Sequence, residues 1–262
     1  MTDRPADSSP CPRAALVTGA GKRLGRAIAL ALAEAGYAVA VHYGDSAADA
    51  EKVVAEITAK GGRAAALAAD LASEDEVAHL IGRAAEALGP LDVLVNNASV
   101  FERDEALDVT RAGWDRHMEI NLRAPFVLAQ GLARQLPGGC AGNIVNILDQ
   151  RVENLTSHFI SYTLSKSGLW TLTRTLALAL APDIRVNAVG PGPVLPSPRQ
   201  SQAQFDAQAR ATPLGRAVAP EEIAAAVVFL LAAPSVTGQM IAVDGGQHLN
   251  WSPVAPGTPD DE

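Results

Sequence analysis

Tyr162 and Lys166 stand four residues apart at the head of a long apolar run, residues 162–181, whose pattern predicts a helix. At that spacing a phenol and an ammonium lie on one helical face, one turn apart. A free phenol, with a pKa of about 10, is a poor proton shuttle at neutral pH. A cation one turn away favours the phenolate and brings the group towards the range of a useful acid. Any amphipathic helix can carry the same pair, so its weight comes from what surrounds it. Asp149 closes the preceding apolar run, residues 143–148, and adds a carboxylate that can accept N–H bonds or hand on a proton.

The elements that must position these groups alternate along the chain. Residues 14–18 (AALVT) read as a strand that runs into Gly19, Gly21 and Gly25, and residues 26–35 read as a helix. Strand, glycine-rich turn and helix make a phosphate cradle: glycines let the backbone approach a pyrophosphate, and the helix N-terminus offers N–H groups. The turn includes Lys22, Arg23 and Leu24, and its G-x-G-x-x-x-G spacing is one residue longer than the common fingerprint. A second strand, 38–42, ends at His42, followed by Tyr43, Asp45 and Ser46, where dinucleotide folds place an acid against a ribose hydroxyl. No acid comes first there, and Lys22 and Arg23 could meet a 2′-phosphate, so NADPH (NADP) is expected over NADH. Asp45 argues the other way, and the two cations also fit a solvated turn.

A helix over 47–60 and a strand over 64–69, ending at Asp70 and Leu71, come next, and Ser73 with Glu76 reads as the cap of a further helix. Strand 91–95 runs into Asn96, Asn97, Ala98 and Ser99. Parallel strands alternating with helices predict an α/β fold: a single-domain Rossmann fold, doubly wound, with a parallel sheet of about seven strands and ligands at the strands' carboxyl ends. Asn121 lies inside the helical pattern 114–135, ahead of Pro125, where it either bonds backbone and lets the helix kink or serves the site. Strand 184–189 leads to residues 190–198, too rich in glycine and proline for a helix or central strand. That loop and residues 199–210 are expected to form a lid. A helix over 220–232 and a strand over 240–243 finish the pattern.

Composition sets the outer bounds. A chain of 262 residues with a mean hydropathy of +0.11 buries one large core. Its net charge of -8 opposes a nucleic-acid surface. Cys11 and Cys140 give neither a disulfide framework nor a metal-ligand cluster, so no metal is expected and a reducing, cytoplasmic setting is. Neither a signal segment nor a membrane span is visible. Residues 1–12 and 251–262 are expected as flexible arms around a domain at 13–250.

Taken together, T-G-A-G-K-R-L-G at 18–25, D-L at 70–71, N-N-A-S at 96–99, Asn121, Y-T-L-S-K at 162–166, P-G at 191–192 and V-D-G-G at 243–246 resemble the short-chain dehydrogenase/reductase family over nearly the whole chain. The resemblance implies a nicotinamide cofactor held by the glycine turn, by Asp70 and Leu71 at the adenine, by Asn97, Ala98 and Ser99, and by Pro191 and Gly192. It implies Lys166 on the nicotinamide ribose, Tyr162 as the proton donor and Asn121 holding a water of the relay. Where the family usually has a serine, this chain has Asp149, a replacement that marks pteridine reductases. K-R-L-G at 22–25, H-Y-x-x-S at 42–46 and N-A-S-x-F at 97–101 are similar to that branch. By that similarity Phe101 stacks a pterin, with Arg23, Ser99, Asp149 and Tyr162 at its polar edge; an ordinary pocket-wall aromatic is the other reading of Phe101.

The leading expectation is therefore an NADPH-dependent reductase of a dihydropterin, dihydromonapterin or dihydrofolate. A reductase of another carbonyl or imine stands second, and a sensor that holds NADP without turnover stands third. The apolar face along 169–180 resembles the contacts by which the family forms homodimers and homotetramers, although core packing uses leucines equally well.

Overall fold

The computed structural model describes residues 11–197 and 199–249. The expected arms therefore lie almost wholly outside the described residues. Among the described residues seven strands form one parallel sheet in the order β3-β2-β1-β4-β5-β6-β7: β1 (Ala14–Val17), β2 (Ala38–Tyr43), β3 (Ala64–Ala68), β4 (Val93–Asn96), β5 (Gly142–Ile147), β6 (Ile184–Pro191) and β7 (Met240–Val243). The order reverses between β1 and β4, so a crevice opens at the carboxyl ends there, as in doubly wound folds.

The alternation of side chains along each strand divides the core in two. Leu16 of β1 and Leu94 of β4 pack on one face with α3 (Glu74–Leu88), α5 (Ala124–Gln135) and the far end of α6 (Ile160–Ala179). Ala15, Val17, Val93 and Val95 face α1 (Arg23–Glu34), α2 (Ala47–Ala59) and α8 (Pro220–Ala232) on the other. Helix α8 occupies the bounds the pattern predicts, with proline in its first turn and Glu222 bonded back to the Ala219 N–H. Ser73 accepts from the Glu76 N–H at the head of α3, as expected.

Three local features differ from the sequence reading. The 114–135 pattern is interrupted: α4 (Arg111–Met118) passes through a π turn at Glu119–Arg123 before α5, which places Asn121 in the π turn. Strand β6 runs on through Pro191; β5 flanks it only as far as Val189, so the missing proline N–H interrupts no ladder on that side. Part of the expected lid is a helix, α7 (Gln202–Ala211), started by a capping box between Ser201 and Gln204.

The cysteines are a correction. Cys11 and Cys140 form a disulfide with 5.5 Å between their Cα atoms. Parallel strands begin at one edge of the sheet, and only β4 separates β1 from β5, so residues just upstream of those strands can converge there to disulfide distance. The pairing removes the ground for expecting a reducing compartment. Among the described residues no helix is long and apolar enough to cross a membrane.

The disulfide closes a sequence separation of 129 residues. Cys140→Ser is expected to destabilise the oxidised protein by about 2–4 kcal/mol. Urea denaturation should show that loss without reductant and bring both proteins to one midpoint with it; a variant as stable as the wild type in both conditions would show that the bond does not constrain the unfolded chain.

Candidate active site

The glycine turn is built by close contacts. A Cβ on Gly25 would lie 2.2 Å from the Gly19 carbonyl oxygen, so only glycine lets α1 begin against the turn. Gly19 itself has φ +63°. The amide of Asn97 donates to the Thr18 carbonyl at 2.8 Å, while the Asn97 and Ala98 N–H groups both donate to the Thr18 hydroxyl. The end of β4 is thereby fastened beneath the turn. Helix α1 follows Lys22 at its N-cap position, with no side-chain cap and no acid in its first turn. Its first N–H groups and its dipole suit an anion, which is what a dinucleotide pyrophosphate requires.

His42 is buried beneath this turn rather than beside a ligand. Its Nδ1 accepts the Gly19 N–H at 3.0 Å, which leaves Nε2 to donate to the Ala69 carbonyl at 3.0 Å. Burial holds its pKa below the usual imidazole range, and the ring acts as a neutral strut. Tyr43 ends β2, Ser46 stands at the head of α2, and Lys22 reaches Asp49 at 2.9 Å beside Lys52. Arg23 turns the other way: its guanidinium donates to the carbonyls of Leu195 and Pro196 in the loop after β6. At the end of β3, Asp70 is exposed and accepts the Ala72 N–H, whereas Leu71 is core.

Strand β5 delivers Asp149 and α6 delivers Tyr162. The phenol donates to Asp149 Oδ2 at 2.8 Å, and the Arg151 N–H occupies Oδ1 at 2.8 Å. Lys166, 2% exposed, donates to the Ile147 carbonyl at 2.8 Å and lies 5.8 Å from the centre of the Tyr162 ring. Burial brings its pKa down to about 8, with the Asp149 carboxylate opposing the shift. Phe101 meets the Tyr162 ring edge-on at 4.6 Å and stacks one face on Phe159 at 4.4 Å, so that face is already covered.

Asn121 uses its whole side chain inside the protein. Oδ1 accepts from the Val100 N–H and the Ser99 hydroxyl, and Nδ2 donates to the Val100 carbonyl and to Ser165 Oγ. A water held by Asn121 would have to use its backbone, so the side chain's work is to hold residues 99–100 against α6.

Gly19, Lys22, Arg23, Leu24, Gly25, Asn97, Ala98, Ser99, Phe101, Asp149, Tyr162, Lys166, Pro191 and Gly192 line one cavity of about 450 Å³. His42, Tyr43, Ser46, Asp70, Leu71 and Asn121 lie outside that lining. Gly192 is needed where β6 turns away, because a Cβ there would fall 2.6 Å from the Asp244 Cα. A smaller chamber of about 190 Å³ adjoins it, lined by Gln150, Arg151, Gln200, Phe205, Gln208 and Gln247 as well as the shared residues. None of those six was singled out from sequence. Gln200, Phe205 and Gln208 fall within residues 199–210, where a lid was expected, and the Ser201–Gln204 capping box is the local signal that could have marked the helix there. Buried Arg151 sits with its guanidinium 5.5 Å from the Phe101 ring centre and its Nε 4.0 Å from Asp149 Oδ2.

Residues 19–248 match the family described as Enoyl-(Acyl carrier protein) reductase. A solved structure titled as FolM alternative dihydrofolate reductase 1 from Brucella suis in complex with NADP is 46% identical, with a TM-score of 0.89 over 96% of this chain and 98% of that one. Among curated proteins, an uncharacterized oxidoreductase of Methylorubrum extorquens is 38% identical across 89% of this chain and 97% of its own length. A 3-oxoacyl-[acyl-carrier-protein] reductase of Synechocystis is 35% identical across 90% and 96%.

With a lowered pKa, the Lys166 ammonium is charged below about pH 8 and loses its proton as pH rises through that value. Turnover that depends on this cation should fall on the alkaline side of about pH 8. Lys166→Gln should cost roughly a hundredfold or more in kcat/KM and erase that limb; a limb that persists in the variant would assign it to another group.

Proposed function

The chain belongs to the short-chain dehydrogenase/reductase family, and from that premise we propose that it reduces a C=N bond of a pterin-like substrate, using NADPH. The observation that carries the proposal is the hydrogen bond from the Tyr162 phenol to a carboxylate, Asp149, beside an aromatic wall at Phe101. A carbonyl oxygen gaining negative charge would be repelled by that carboxylate, whereas a nitrogen heterocycle offers N–H groups to it.

NADP fits the cavity's construction: its pyrophosphate would rest on the turn at Gly19 and Gly25 and the uncapped start of α1, with Pro191 and Gly192 opposite. Lys22 and Lys52, both paired with Asp49, would offer cations near Ser46 to a 2′-phosphate against the opposing charge of Asp45, and Asp70 and Leu71 would border the adenine. When bound, the cofactor supplies the hydride. Lys166 would hold the nicotinamide ribose and favour the phenolate that Tyr162 becomes on giving up its proton. That proton passes to the ring nitrogen next to the carbon receiving hydride, and the Asp149 oxygen facing Tyr162 can share it because Arg151 holds the other oxygen. Phe101, already stacked on Phe159 and lying 5.5 Å and 5.7 Å from the Arg151 and Arg199 guanidinium carbons, would offer its ring to the pterin once a guanidinium makes way, with Ser99 and Arg23 at the edge after Arg23 leaves the loop carbonyls.

A second reading, reduction of a carbonyl, is favoured by the names of curated relatives such as the Synechocystis protein. NADPH oxidation should separate the two with dihydrobiopterin, dihydromonapterin, dihydrofolate and a ketone panel, repeated with NADH and with Asp149→Ser. Pterin turnover is expected, faster with NADPH, and reduced roughly a hundredfold or more by Asp149→Ser. Turnover of ketones alone, unharmed by the substitution, would establish the carbonyl reading instead.

The proposal extends to assembly. An apolar groove lined by Met118, Leu122, Phe126, Gly168 and Leu172 runs between the π turn and α6, and Leu164 and Leu178 are exposed on α6. These surfaces suit helix pairing with a second copy, as a homodimer or homotetramer. Sedimentation should show a dimer or tetramer that Leu172→Glu splits; a monomeric wild type would remove this part.

A further inference from the structure

Behind the catalytic tyrosine lies a buried histidine that the proposed chemistry does not use. His117, on α4, is 1% exposed. The Glu102 N–H donates to its Nε2 at 3.1 Å, and its Nδ1 lies 2.7 Å from the Ser161 hydroxyl. A backbone N–H can only donate, so Nε2 carries no proton and Nδ1–H is the donor towards Ser161. The Ser161 hydroxyl then donates to the Asp104 carboxylate, which also accepts the Ser161 N–H, and the Asp104 carbonyl accepts from Phe159. Glu102 directly follows Phe101 and Ser161 directly precedes Tyr162, so one imidazole ties together the neighbours of both site aromatics.

We propose that His117 is the positioning residue that sets Phe101 against Tyr162, and that it does so only as the neutral imidazole with its proton on Nδ1. A proton on Nε2 would put two N–H donors face to face and remove the acceptor that holds residue 102. The Phe101 loop would then part from the first turn of α6. The groups around the ring pull in different directions: Asp104 and Glu102 on the loop and the Gly113 backbone on α4 favour a charged imidazole, and Arg116 on α4 opposes it. Ser161 and the edge-on ring of Tyr162, 6.1 Å away, close the α6 side. Burial is the largest influence and keeps the pKa below the usual histidine value. The neutral form therefore persists through neutral pH, and the clasp is lost as pH falls through that lowered pKa.

The substrate-free test is NMR of the whole protein. It should show the His117 proton on Nδ1 and contacts between the Phe101 and Tyr162 rings that vanish as His117 titrates. A proton on Nε2, or ring contacts that survive the titration, would overturn the proposal. The kinetic arm rests on the pterin reading and uses NADPH with dihydrobiopterin. Below the His117 pKa, wild-type kcat should fall about tenfold per pH unit while the KM for NADPH stays nearly constant. His117→Gln, which keeps a neutral acceptor for Glu102, should retain activity at pH 7 within a few-fold and lose that acid limb. An unchanged limb in His117→Gln would refute the clasp, whereas no pterin turnover at any pH refutes the substrate reading and leaves the NMR outcome to decide on His117.

Discussion

A buried ammonium needs compensation, and the Lys166 Nζ has little of it: one backbone carbonyl, at Ile147, and the Asp149 carboxylate beyond. That constraint organises the centre of the molecule. The carboxylate must stay close enough to balance the cation, the phenol must reach that carboxylate, and β5 and α6 must be fixed relative to one another. Asn146 Nδ2 on Thr173 and the β5–β6 pairing supply that fixity from within the core. A site assembled in this way reads as a charge arrangement first and a binding pocket second, because each member of the trio is placed by the others.

Much of this was legible in sequence, and the limit has a physical form. Strands β1, β2 and β7 and helix α8 follow from periodicity, glycine turns and end signals, which are local properties of the chain. Tyr162 and Lys166 were singled out by their spacing and by the motifs around them, Asp149 as a carboxylate closing an apolar run, and Phe101 by the resemblance to one branch of the family. What could not be read depends on residues far apart in sequence. The roles of His42 and Asn121 as struts appear only once Gly19, Ala69, Val100 and Ser165 are brought to them. The π turn needs a change of hydrogen-bond step that no apolar stripe encodes. Arg151 sits in a short turn without periodicity, and the reach of the Arg23 guanidinium to the Leu195 and Pro196 carbonyls joins residues more than 170 positions apart.

Family membership and site chemistry carry different information here. The family gives the sheet, the glycine turn and the Tyr162–Lys166 pair, which serve many substrates alike. In the proposed reading, substrate choice rests on Asp149 after β5, on the Arg151 guanidinium near Phe101 and on the chamber lined by Gln150, Gln200, Gln208 and Gln247. Relatives of similar identity therefore bear different activity names without any disagreement in fold.

The covalent link at the opposite edge of the sheet has a mechanical meaning. It makes the chain from Cys11 to Cys140 a closed loop, with β1 to β4 inside it. Tension applied at the N-terminus cannot draw β1 out of the middle of the sheet; the load crosses the sulfurs and falls on the lead into β5. Tension from the other end meets β7, which borders the sheet and pairs with β6 alone. The molecule is thus stiff to pulling from one terminus and can be peeled strand by strand from the other, so an unfolding machine that grips its C-terminus would meet far less resistance.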